Sequence, residues 1–80
     1  MYYVYILKSE KNGKLYKEFT KDLKRRIKEH NSGKSTFTKN NGLWKLLYYE
    51  AFISENDARR EEIFLKSGKG KERIKYLFKN

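Results

Sequence analysis

The chain opens on an apolar run with no polar alternation. Residues 2–8, Tyr2-Tyr3-Val4-Tyr5-Ile6-Leu7-Lys8, are aromatic and β-branched up to their last member. Such a run reads as a strand covered on both faces. Asn12-Gly13 then gives a hairpin signal, since both residues tolerate positive φ. Residues 14–19 are the expected antiparallel partner. Their alternation places Leu15, Lys17 and Phe19 on one face and Tyr16 and Glu18 on the other.

Helical spacing takes over next. Thr20 is placed to cap a helix over residues 21–32, with Asp22 in its opening and Gly33 placed to end it. Residues 34–42 are polar, contain Asn40-Asn41-Gly42, and read as a loop. Residues 44–52, Trp44 to Phe52, read as a third strand. Ser54 with Asp57 forms a loose capping box that opens a second helix, running to Lys66. Ser67-Gly68-Lys69-Gly70 reads as a break, either a helix terminator or a small anion nest. A short helix over 71–78, with Ile74, Leu77 and Phe78 apolar, follows it. The order β-β-α-β-α-α predicts one small α/β (α+β) domain over residues 1–80. Its three-stranded, largely antiparallel sheet is flanked by helices.

Two apolar stripes contain polar residues. At 100° per residue, with Leu23 at zero, Ile27 falls at about +40°, His30 at about −20° and Arg26 at about −60°. His30 therefore lies inside the stripe that faces the sheet, and Arg26 borders it. A bland account is available for each: a satisfied structural histidine, and an arginine stem snorkelling over the core. In the second helix, with Ala58 at zero, Leu65 falls at about −20° and Glu62 at about +40°. A carboxylate there needs a cation. The partner is either an arginine such as Arg26 or a magnesium ion, which often takes one or two carboxylates.

Composition adds a polyanion partner. The formal net charge is +10 on 80 residues, from 20 Lys+Arg against 10 Asp+Glu. Residues 11–34 carry net +6 and residues 66–80 net +5, while residues 35–65 carry −1. Two basic segments thus bracket a near-neutral middle; either their lysines only solubilise the chain, or both segments converge on one phosphate-binding face. With no cysteine, a disulfide scaffold, a thiolate metal site and a cysteine nucleophile are excluded. No apolar run reaches the roughly 18 residues of a membrane span, and no basic n-region opens the chain. The expectation is a cytoplasmic domain with no membrane partner. Gly33-Lys34-Ser35-Thr36 mimics the end of a P-loop, but position 28 is lysine and the segment follows a helix. No nucleotide cofactor is expected.

In order and spacing, these residues resemble a stand-alone GIY-YIG nuclease domain of the small bacterial kind. The half-motifs stand at Tyr3-Val4-Tyr5 and Tyr16-Lys17-Glu18. They are followed by Thr20, Asp22-Leu23-Lys24-Arg25-Arg26 and His30-Asn31-Ser32-Gly33, then by Trp44 to Glu50, and by Ala58-Arg59-Arg60 through Glu62 to Gly68. The resemblance implies a metal-dependent DNA endonuclease of low sequence specificity, using Mg²⁺ or Mn²⁺. It assigns Tyr5 and Tyr16 to the active site, Arg26 to the scissile phosphate, His30 to the nucleophilic side and Glu62 to the metal. Lys24, Arg25, Lys34, Lys66, Lys69 and Lys71 are the expected nucleic-acid contacts. The second half-motif departs from the pattern: Glu18 stands where the family has glycine, and Lys17 where an aliphatic is usual. On the Tyr16 face, Glu18 either repels the phosphate or helps to hold the metal. Two alternatives remain: a catalytically weak or inactive nucleic-acid-binding relative, and a basic RNA-binding module.

Overall fold

A computed structural model describes residues 1–32 and 43–78. Its elements are β1 (Tyr2–Ser9), β2 (Leu15–Thr20), α1 (Leu23–Asn31), β3 (Trp44–Phe52), α2 (Glu55–Leu65) and α3 (Gly68–Leu77). The three strands form one antiparallel sheet in the order β2-β1-β3. This is the expected α+β architecture and element order. The loop at Asn40-Asn41-Gly42, the stop at Gly33 and the Gly33–Thr36 segment lie outside the described residues.

The central position of β1 explains its unbroken apolar run, since both its faces and both its edges are covered. Val4 and Ile6 join Ala58, Leu65 and Ile74 in a core under α2 and α3. Tyr5 and Leu7 point the other way and pack with Trp44, Tyr16, Leu23, Ile27 and Leu46 under α1. The alternation of β2 follows the same division. Phe19 and Lys17 pair with Val4 and Ile6, while Glu18 and Tyr16 pair with Tyr5 and Leu7. A bulge between Ile6 and Leu7 shifts the β1–β3 register, so Tyr49 opposes Tyr5 while Leu46 opposes Leu7.

Three local expectations are corrected. In the hairpin only Gly13 adopts positive φ, at 76°. Asn12 keeps negative φ and instead accepts the Lys14 amide on its side-chain oxygen, giving a loop longer than two residues. Asp22, not Thr20, caps α1 by accepting the Arg25 amide at 3.1 Å. Thr20 Oγ1 accepts the Asp22 amide, so it sets up the cap one step earlier. Finally, Gly68 and Gly70 do not form a break or a nest. Ser67 caps α3 by accepting the Gly70 amide, and the helix begins at once. A Cβ on Gly70 would overlap the Phe64 carbonyl oxygen and crowd the Leu65 backbone. Glycine therefore allows the start of α3 to press on the end of α2.

Candidate active site

Three elements bring the polar residues together. β1 supplies Tyr5, β2 supplies Tyr16 and Glu18, and one face of α1 supplies Arg26 and His30. The α1 stripe faces the sheet as its spacing requires, and this leaves His30 only 1% exposed and Tyr5 fully buried. Asn31 fixes the far end of α1 against β3. It accepts the Trp44 amide at 2.7 Å and donates to the Trp44 carbonyl at 3.2 Å, pairing with the strand as a backbone amide would. No sequence signal marked this clamp, because the two partners are 13 residues apart.

Tyr5 and His30 are joined directly, with Tyr5 Oη 2.9 Å from His30 Nε2. The Tyr16 ring lies edge-on to His30 at 4.9 Å and 6.5 Å from the Tyr5 ring. The Arg26 guanidinium sits beside both tyrosine hydroxyls, acting on each by its charge, and donates to Glu29 at 3.0 Å. Burial, with the Arg26 charge beside it, lowers His30 to about 4 from its ordinary 6.5. The imidazole is therefore neutral at pH 7. Burial and the neighbouring Tyr16 push the Tyr5 hydroxyl well above its usual range. Burial and the Glu18 carboxylate raise Tyr16.

Glu18 extends the network to α2. It accepts from Tyr16 Oη at 3.2 Å and from its neighbour's amide, Phe19 N, at 3.4 Å. Glu62 of α2 lies close enough for the two carboxyls to act on each other. Burial raises Glu18, but these hydrogen bonds and the Lys66 charge outweigh it and hold the carboxyl below its usual range. Burial and Glu18 raise Glu62. Of the two carboxyls, Glu62 is the one that takes a proton more readily. Glu62 has no partner in Arg26; its cation is Lys66, at 3.1 Å. The structure therefore joins Tyr5, Tyr16, Arg26 and His30 in one cluster, with Glu62 reached through Glu18.

The expected DNA contacts separate. Lys66 lines a hollow of ≈ 340 Å³ with Tyr16, Lys17 and Glu18. Burial, then the charges of Lys71 and Lys66, lower the pKa of Lys17, so part of each basic segment does meet here. Arg25 shares a second hollow with Arg26, and Lys24 lines a third, beside Tyr49. Lys69 is exposed near the start of α3, and Lys34 lies outside the described residues.

A family model described as the GIY-YIG catalytic domain matches residues 1–76. The chain belongs to the GIY-YIG family. A UPF0213 protein of Pediococcus acidilactici is 42% identical over 69 residues, covering 82% of this chain and 70% of that protein. A UPF0213 protein of Streptococcus agalactiae is 38% identical over 76 residues, covering 94% of this chain and 85% of its own length. The solution NMR structure of a UPF0213 protein from Bacillus halodurans is 39% identical. It aligns with a TM-score of 0.59 over 98% of this chain and 86% of that one. GIY-YIG proteins are a nuclease family that acts on DNA and generally depends on a divalent metal.

Whether this GIY-YIG chain can accept such a metal is a question about its donors. Among the described residues no three His, Cys, Asp or Glu side chains cluster as ligands. Glu62 and Glu18 do supply two adjacent hard-oxygen carboxyls. Magnesium and manganese accept one or two carboxylates and complete their shell with water and substrate oxygens. The donor set fits. Among the described residues no helix is long and apolar enough to cross a membrane.

Proposed function

We propose that this chain is a divalent-metal-dependent endonuclease. It hydrolyses phosphodiester bonds of DNA with little sequence specificity and selects by substrate structure. The observation that supports this best is the gathering of Tyr5, Tyr16, Arg26 and His30 in one cluster, with Tyr5 bonded to His30, the Tyr16 ring edge-on to His30, and Tyr16 bonded to Glu18 beside Glu62. Mg²⁺ or Mn²⁺, held by Glu62 with Glu18 beside it, would neutralise charge on the phosphate. Arg26 is the fixed cation for that charge, since Glu29 holds its fork at 3.0 Å. Tyr16 is the hydroxyl that meets water, because Tyr5 is wholly enclosed. Tyr16 Oη can take a proton from an attacking water while passing its own to Glu18. Tyr5 and neutral His30 position Arg26 and Tyr16 without touching substrate. Lys66, Lys71, Lys24, Arg25 and Lys69 draw the DNA in by charge.

The test is cleavage of duplex, branched and single-stranded DNA with Mg²⁺ or Mn²⁺ by the wild type, Arg26→Ala and Glu62→Gln. Loss of one fixed donor to the phosphate is expected to slow cleavage about 10²–10³-fold. Equal rates for the three proteins would overturn the proposal. Calorimetry with Mn²⁺ alone reads the metal separately. Binding should release a proton and weaken as the pH falls, because Glu62 titrates above its usual range. The Lys66 ammonium on Glu62 favours a second reading, a binder without cleavage. That reading predicts steeply salt-dependent DNA affinity with no metal-dependent product.

A further inference from the structure

The α1 side of the sheet carries more aromatic surface than the active site uses. Tyr3 lies two residues before Tyr5 on β1, about 7 Å along the same face. Tyr49 is the register partner of Tyr5 on β3. The Tyr3 and Tyr49 rings meet edge to face, with centroids 6.2 Å apart. The nine residues of α1 do not cover this end of the sheet, and Tyr49 stays 54% exposed. Beside the rings, Leu46 and Ile27 floor an open hollow of ≈ 420 Å³ that Lys21 and Lys24 also line.

Charge makes the occupant specific. The one acid lining the hollow, Asp22, already accepts the Arg25 amide as the helix cap. Lys21 also lines the next hollow, with Arg25 and Arg26. The acids there are Asp22 again and Glu29, which is paired with both arginines. The Lys21 ammonium turns to the other face, over the Tyr2 ring at 5.8 Å, so Lys24 is the cation left beside the exposed aromatic faces. Aromatic rings on a sheet flanked by cations are the chemistry that holds unpaired bases, because every base has a face to stack and every step a phosphate. A base pair inside a duplex offers no free face to such a surface.

We infer that Tyr49, with Tyr3, is a stacking platform for an unpaired base next to the scissile phosphate. Lys24 holds a flanking phosphate, so the strand cut is a single-stranded or splayed one. This rests on the nuclease reading above and names its substrate class.

The experiment measures binding without metal, in EDTA. A dT oligonucleotide carrying one 2-aminopurine is compared with a matched duplex. Tyr49→Ala, an exposed substitution, should weaken single-strand binding about 5- to 150-fold and abolish the fluorescence quenching of stacking. Tyr49→Phe should restore both. Duplex affinity should change less than twofold. Lys24→Gln should lower the salt slope by about 0.7, whereas Tyr49→Ala should leave it alone. Single-strand affinity and quenching that are indifferent to Tyr49→Ala would overturn this inference while leaving the nuclease reading intact. Equal losses on single strand and duplex would do the same. No affinity for any DNA would overturn both.

Discussion

His30 offers the most direct check on the enclosed hydrogen bond. It is the only histidine in the chain, so one imidazole Cε1–H resonance reports it without assignment by mutation. Burial and Arg26 hold its folded value at about 4, against 6.5 in an open chain. A depressed value means that the folded protein prefers the neutral ring. Above pH 6.5 neither state carries the proton and the contribution to stability is whole. Between 6.5 and 4 the unfolded chain takes the proton first, and the contribution is lost as the pH falls. At 1.36 kcal/mol per unit the full gap is worth about 3 kcal/mol, and screening from the solvent side of the cluster reduces it to roughly 2 kcal/mol. Urea unfolding at pH 7.5 and 4.5, for the wild type and His30→Gln, isolates this part from the carboxylates. The wild type should lose roughly 2 kcal/mol more than the variant, about 2 M in midpoint at an m-value near 1 kcal/mol/M. The resonance should titrate below pH 5. A midpoint at 6.5 or above would refute the enclosed Tyr5–His30 contact and the neutral positioning role built on it.

Two further outcomes follow from specific contacts. Glu18→Gln keeps the shape of the side chain but removes its capacity to take the Tyr16 proton. Cleavage should fall about 10²–10⁴-fold with DNA affinity maintained, whereas a faster variant would show that Glu18 only repels substrate. Gly70→Ala places a methyl group against the Phe64 carbonyl, so unfolding should be easier by about 1–3 kcal/mol. At about 4–8 °C per kcal/mol the shift in Tm is large for a chain of this size, and an unchanged Tm would contradict the tight α2–α3 turn.

The sequence carried the parts of the site that depend on period. Strand alternation placed Tyr16 and Glu18 on one face, and helical spacing turned Arg26 and His30 toward the sheet. It did not carry their partners. Angle on a helix says that Glu62 lies in a stripe with Lys66 one turn on, but Glu18 becomes its neighbour only when β2 meets α2. Arg26 found its carboxylate three residues along its own helix, at Glu29, while a cross-element pair was the natural expectation. Thr20 and Asp22 are both good cap residues, and the extended backbone at Asp22 decided between them. Gly68 and Gly70 read as a stop because glycine disfavours helix interiors. At Gly70 the need for two backbones to touch overrode that preference, whereas a Cβ at Gly68 would meet nothing.

The order β2-β1-β3 leaves β2 at the rim of the sheet. Tyr16 and Glu18 therefore stand on a strand whose outer amides and carbonyls are an open template for a foreign strand. Such an edge invites self-association into fibrous aggregates. The chain answers with charge at mid-strand: Lys17 on one face and Glu18 on the other, with Lys14 just before the strand and Lys21 just after it. A strand that docked there in register would have to desolvate these charges. The lysine that displaces an aliphatic in the half-motif is thus also a guard against misassembly, and concentrated solutions of Lys17→Val should precipitate sooner than the parent.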